Sequence, residues 1–197
     1  MIKICRTERS AQRQKQIVDA LYDLMKEHSF DSITVTQLCE RLNIPRKAFY
    51  RYFDSIESAL EGLVAMTLSE YHSQSAPPPP VRYLQKEIET FFAFWYKKRE
   101  FLETLDRSGQ LSLVMNLSIN YPITNYISLR RLLPDDDERM HSIIFRFAVT
   151  GLISTVFEWY KENFSTSIPD IARVAVRLLT KAPFPSLDKI GMIDVKQ

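Results

Sequence analysis

The stretch from Thr34 to Phe53 constrains the fold more than any other, because it signals two helix starts and a turn in quick succession. Thr34-Val35-Thr36-Gln37 has the spacing of a capping box, in which Thr34 accepts from the Gln37 amide and the Gln37 side chain reaches back to the Thr34 amide. A short helix follows with Val35, Leu38, Cys39 and Leu42 turned inward. Asn43 stands where that helix must stop, and Asn is among the few residues that tolerate a left-handed backbone. Pro45 suits the first position of a new helix, where a missing N–H costs nothing. Leu38, Leu42, Ile44, Phe49 and Phe53 can then form a small core between these two helices and a longer one before them.

That longer helix is predicted from about Glu8 to His28, where Ile17, Ala20, Leu21, Leu24 and Met25 recur at three- and four-residue spacing. Asp54-Ser55 offers an N-cap for a further helix from Ile56 to about His72. Gly is scarce, at 4 residues, and four of the 10 Pro form the run Pro77–Pro80. So few turn-formers exclude a many-stranded sheet, and an all-α fold of about nine helices is predicted. The Pro run marks a stiff surface linker around 73–80. Beyond it lie the aromatic residues Tyr83, Phe91, Phe92, Phe94, Trp95, Tyr96 and Phe101, with breaks at Ser108-Gly109 and Pro122. Leu133-Pro134-Asp135-Asp136-Asp137 reads as a loop whose acids lead into a helix N-terminus. An apolar helix runs from about Asp137 to Phe164 and another from Asp170 to about Lys181, before an irregular tail from Ala182. Two domains are expected, 1–55 and 56–197.

Apolar residues at 45% and charged residues at 25% describe a soluble globular chain. Residues 1–55 carry 10 Lys and Arg against 7 Asp and Glu, and the excess gathers in Lys3, Arg6, Arg9, Arg13 and Lys15. A basic arm suits phosphate contact, although such runs are often only solvated surface. Cys5 and Cys39 do not form a disulfide framework or zinc site. No apolar stretch follows the basic N-terminus as in a signal peptide, and no uncharged apolar run approaches the roughly 20 residues that span a bilayer. A cytoplasmic protein with reduced thiols and no membrane partner is expected. His28, His72 and His141 fall in separate segments, and there is no Gly-rich phosphate loop, metal-ligand cluster or nucleophile elbow. The expectation is therefore no enzyme, no metal and no cofactor.

On the second short helix successive residues turn by about 100°. With Phe49 inward, Lys47 and Arg51 face outward, flanked by Tyr50 and Arg46. This face has three cations, one phenol and no acid. It offers donors to phosphates and guanine edges and a flat surface to thymine methyls, as a helix entering the DNA major groove needs. The same pattern also describes an ordinary solvated helix face.

Residues 9–62 resemble the TetR/AcrR family of bacterial transcriptional regulators. The resemblance rests on the Thr-Val helix start, the Asn-aliphatic turn, the closing Phe49-Tyr50-Arg51-Tyr52-Phe53, and Asp54 to Leu60 as the start of a fourth helix. It implies that Thr36, Gln37, Arg46, Lys47, Tyr50, Arg51 and Tyr52 contact double-stranded DNA. Arg46 and Lys47 would read bases, while Thr36, Tyr50, Arg51 and Tyr52 would mostly hold phosphates. Two residues depart from the family pattern. Pro45 stands where a small hydroxyl residue is usual and Ile56 where Lys is usual, and each removes a phosphate donor.

Proteins of this kind pair to read two half-sites. From Ile143 to Tyr160 apolar residues cover nearly every side of the helix, and Ala148, Gly151, Ser154 and Thr155 make a strip of small residues. That strip is either a dimer seam or a close packing within one subunit. The resemblance favours a homodimer made with the 170–181 helix, including Val174. It also implies a small-molecule effector pocket, for which Phe91, Trp95, Leu113, Asn116, Asn120 and Phe147 are candidates. Arg146 is a ligand anchor or half of an interface salt bridge. The leading reading is a repressor released from a palindromic operator by its effector. The alternative is a TetR-like interaction protein or co-activator that has lost autonomous DNA binding and acts through a protein partner.

Overall fold

A computed structural model describes residues 7–74, 84–120 and 138–180, without the side chains of Gln74, Glu138, Met140 and His141. Lys3, Cys5 and Arg6, the Pro77–Pro80 run, Tyr83, Pro122, the loop at 133–137 and the tail lie outside these residues. Among the described residues the fold is all-α, with nine α-helices and one 3-10 turn. In chain order the helices are α1 (Glu8–Glu27), α2 (Val35–Arg41), α3 (Arg46–Phe49), α4 (Ile56–Gln74), α5 (Leu84–Lys97), α6 (Arg99–Arg107), α7 (Ser112–Ile119), α8 (Glu138–Lys161) and α9 (Ile168–Thr180). By compactness they fall into two units. One joins residues 1–77 to 98–125 and holds α1–α4, α6 and α7, while the other holds α5, α8 and α9.

The first unit is organised around α1. Thr7 caps it by accepting from the Ser10 amide at 3.2 Å. Its buried stripe of Ile17, Val18, Leu21, Leu24 and Met25 packs against α4 and α2. The expected capping box is present at α2: the Gln37 amide reaches Thr34 Oγ1 at 3.2 Å, and the Thr34 amide reaches Gln37 Oε1 at 2.8 Å. Asn43 has φ 50°, the left-handed turn that ends α2. Pro45 corrects the sequence reading by one position. It is the N-cap of α3, with φ −70° and ψ 147°, and its carbonyl accepts from the Ala48 amide at 2.8 Å. The proline ring's fixed φ suits this extended cap as well as it suits a first helical residue.

Phe49 and Phe53 are fully buried and close the core beneath α3, their rings 5.9 Å apart. Each contributes about 1.5–3 kcal/mol by leaving water. Gly62 on α4 lets this core close, because a Cβ there would stand 2.7 Å from Cε1 of Phe53. The α1 and α2 ends are tied by a two-pronged ion pair from Arg41 to Glu27 at 2.8 and 2.9 Å. Those hydrogen bonds hold the Glu27 carboxyl below its ordinary pKa. The α6 helix also reaches α1: Phe101 packs on Tyr22 with ring centroids 5.7 Å apart, and Arg107 donates to the carbonyls of Met25 and Lys26. A cation at the last carbonyls satisfies acceptors that the helix itself leaves open. The aromatic segment predicted after the linker is thus broken at Lys98, where α5 ends and α6 begins.

In the second unit α9 packs along α5 and touches α8, and Trp159 of α8 lies against Phe92 and Tyr96 of α5. Phe92, Trp95 and Trp159 are buried, and Phe92 meets Trp159 edge-on at 5.6 Å. Asn163 and Phe164 follow α8 with φ 54° and 55°. A left-handed phenylalanine costs energy, and its ring is held by Trp159, Tyr96 and Tyr160 at 4.8–6.0 Å. The Trp159 indole donates to the Thr166 carbonyl at 2.9 Å and fixes the turn into α9. From Ser142 to Lys161, α8 is long and apolar enough to cross a membrane by length and composition. It also carries Arg146 and Glu158, and the core helix of a soluble bundle passes the same test.

Candidate nucleic-acid interface

The α3 helix and the turn after it present the cations that the sequence pointed to. Arg46, Lys47, Tyr50 and Arg51 are exposed, and Tyr52 is half-buried. Burial of Phe49 dictates this arrangement, because the residues on either side of it must then face away from the core. Regular helix covers only Arg46–Phe49, while Phe53 still donates to the Phe49 carbonyl at 3.2 Å and continues the turn. Arg46 lies over the Tyr50 ring, 5.9 Å from its centroid, and donates to the Tyr50 hydroxyl at 3.3 Å. That hydrogen bond raises the guanidinium pKa further above its ordinary value and holds the side chain extended along the face. Thr36 and Gln37, on the first turn of α2, are also exposed. Gln37 already uses Oε1 in the capping box, which leaves its NH₂ for an outside acceptor.

Several cations of this unit differ in whether a carboxylate faces them. Lys15, Lys26, Arg41 and Lys98 each lie within ion-pair distance of a carboxylate, on Asp19, Glu100, Glu27 and Glu70 respectively. Arg9, Arg13, Lys47 and Arg51 have no carboxylate partner among the described residues. Ile56, the departure at the start of α4, is buried, so its side chain belongs to the core and not to the surface. Cys39 is buried as well, and desolvation pushes its thiol pKa up.

The remaining candidates divide between the two units. Phe91 and Trp95 are buried on α5, and the Trp95 indole Nε1 has no hydrogen-bond partner among the described residues. Leu113, half-buried, and Asn116 and Asn120, both exposed, lie on or at the end of α7 in the other unit. Phe147 is 76% exposed on α8. It shares that outer surface with Ile143, Arg146, Gly151 and Ser154, while Ala148 is buried within the subunit. Thr155 is half-buried and its hydroxyl donates to the Gly151 carbonyl. On the neighbouring α9, Val174 and Leu178 stand exposed one turn apart. No cluster of His, Cys, Asp or Glu suited to a metal occurs among the described residues.

These features define a helix-turn-helix unit with a cationic outer face, carried on an otherwise helical chain. Residues 17–62 of it match the family described as bacterial regulatory proteins, tetR family. No curated protein matches the chain by sequence. Among solved structures, the fold is similar to the dihydroxyacetone kinase operon activator DhaS, with TM-score 0.56 and 18% identity over 85% of this chain and 93% of that one. It is also similar to the fatty acid degradation regulator FadR from Bacillus halodurans, with TM-score 0.52 and 12% identity over 88% and 97%. A tetR-family transcriptional regulator from Streptomyces coelicolor matches with TM-score 0.51 and 16% identity over 86% and 79%. At these identities the likeness concerns the fold.

Proposed function

We propose that the chain is a transcriptional repressor in the cytoplasm. It binds palindromic operator DNA as a homodimer and is released by a small-molecule effector. The observation that carries this reading is the outer face of α3, where Arg46, Lys47 and Arg51 stand exposed beside Tyr50 with no acid among them. Arg46 and Lys47 take the role of base readers, with Arg46 held extended by Tyr50. Thr36, Gln37, Tyr50, Arg51 and Tyr52 hold the flanking phosphates. The exposed apolar residues Ile143 and Phe147 on α8 and Val174 and Leu178 on α9 are assigned to the dimer contact, with Gly151 and Ser154 allowing close approach. Arg146, exposed beside Phe147, belongs to the rim of that contact. For the effector, Phe91 and Trp95 supply apolar contact, and an acceptor on the ligand would satisfy the Trp95 indole.

The test is selection from a randomised duplex pool, followed by salt titration of the enriched sequence. A palindrome is expected, with affinity that falls as salt rises and a preference over unrelated DNA that collapses in the Arg46→Ala, Lys47→Ala variant. A folded dimer that enriches nothing would overturn the reading. It would favour the second one, an interaction protein acting through a partner. That reading is motivated by Pro45 and by the burial of Ile56, each of which removes a phosphate donor.

A further inference from the structure

A cleft of about 600 Å³ opens beside α3, on the side where the N-terminal turns of α1 approach the helix-turn-helix. Arg9, Gln12, Arg13 and Gln16 line one wall, and Pro45 and Arg51 the other. Three guanidinium groups and two carboxamides converge there with no carboxylate. Arg9, Arg13 and Gln16 follow one another at four- and three-residue spacing and so share one face of α1. Like charges gathered without a counter-charge repel one another, and they persist at little cost only where an anion or solvent neutralises them. Neither Arg9 nor Arg13 has an acid partner among the described residues, although other cations of the unit do. Both also precede the segment that matches the tetR family, residues 17–62.

We infer that this cleft is a seat for the DNA backbone, in which Arg9 and Arg13 of α1 hold phosphodiester oxygens together with Arg51. The inference rests on the DNA-binding reading above and extends it to a second, sequence-independent anchor. Pro45 forms part of the same cleft, so the arginines supply donors beside the very position where this chain lacks a hydroxyl. Guanidinium forks suit this task because two parallel N–H donors match two phosphate oxygens. Arg51 links the two surfaces, standing on the outer face of α3 and on the wall of the cleft. The N-terminal turns of α1 and the recognition face would then grip the same strand from adjacent positions.

The test compares wild type, Arg9→Ala/Arg13→Ala, Arg9→Lys/Arg13→Lys and Arg46→Ala/Lys47→Ala on the selected operator and on an unrelated duplex, each titrated with salt. Each phosphate contact contributes about 0.9 to the slope of log affinity against log salt. The Arg9→Ala/Arg13→Ala slope should therefore be shallower by roughly 1.8 per bound subunit, with about a tenfold loss per arginine near 0.1 M salt. The loss should be equal on both duplexes, and the lysine variant should restore most of the slope because it keeps the charge. The Arg46→Ala/Lys47→Ala variant should instead lose the distinction between duplexes. Circular dichroism melting checks that each variant is folded. An unchanged slope in folded Arg9→Ala/Arg13→Ala protein, with wild type binding normally, overturns this inference alone. Wild type that binds neither duplex overturns the parent reading and this one with it.

Discussion

Replacing Gly62 by alanine tests the packing beneath α3 directly. Gly62 lies mid-helix in α4, where alanine is the better helix former by about 1 kcal/mol. Against that gain stands the added methyl, 2.7 Å from Cε1 of Phe53, 3.1 Å from Cζ and 3.5 Å from Cγ1 of Val18. Phe53 is fully buried and lies against the Phe49 ring, so it cannot withdraw without disturbing the core. Overpacking of this kind costs about 1–3 kcal/mol. The net expectation is a loss of about 1 kcal/mol. With a urea slope of about 1–3 kcal/mol/M, the midpoint followed by circular dichroism falls by roughly 0.5 M. The cause can be isolated with Phe53→Leu, which removes the two ring atoms that the methyl meets. In that background Gly62→Ala should become stabilising by about 1 kcal/mol, leaving a coupling energy of about 1–3 kcal/mol. If Gly62→Ala stabilises wild type as much as it stabilises Phe53→Leu, the proposed clash does not exist and α4 does not need its glycine there.

Four further outcomes are expected. A Cβ at Gly151 meets nothing within 4 Å in the subunit, so Gly151→Ala should raise monomer stability by about 1 kcal/mol yet weaken the dimer in sedimentation. Phe147→Glu should abolish the dimer in the same assay while leaving a folded subunit. Thr34→Ala removes the α2 cap and should cost about 1 kcal/mol in urea unfolding. The last prediction concerns pH: burial pushes the His72 imidazole down to about 4 from its ordinary 6.5. The unfolded chain therefore takes up this proton first, and stability should decline as pH falls from about 6.5 towards 4. His72→Gln should flatten that part of the urea-midpoint profile.

Local signals carried the helix-turn-helix. Thr34 and Gln37 encode the cap within four residues, Asn43 encodes the turn, and the spacing of Phe49 and Phe53 orients Arg46, Lys47 and Arg51. The end of α5 was less legible because Lys97-Lys98-Arg99-Glu100 contains no glycine or proline, and helix periodicity continues through it. Its cause is tertiary: Phe92 and Trp95 pack within one unit while Phe101 packs on Tyr22 in the other. The cleft was half legible. Arg9 and Arg13 stood out as charge, but only the approach of α1 to Pro45 and Arg51 gave that charge a wall to face. Phe147 was a candidate for the lining of an effector pocket, whereas it stands 76% exposed on α8, which periodicity in a helix apolar on nearly every side does not reveal.

The tie between α6 and α1 bears on how this protein could be re-engineered. A gene fusion that treats the first 55 residues as a portable cassette would discard Phe101, Glu100 and Arg107. Tyr22 would then lose its aromatic neighbour, and the last carbonyls of α1 would lose the guanidinium that satisfies them. Such a hybrid should express poorly or bind DNA with a loosened head. A graft that carries α6 and α7 along with α1–α4, even as a circularly permuted insert, keeps those supports and is the sounder design.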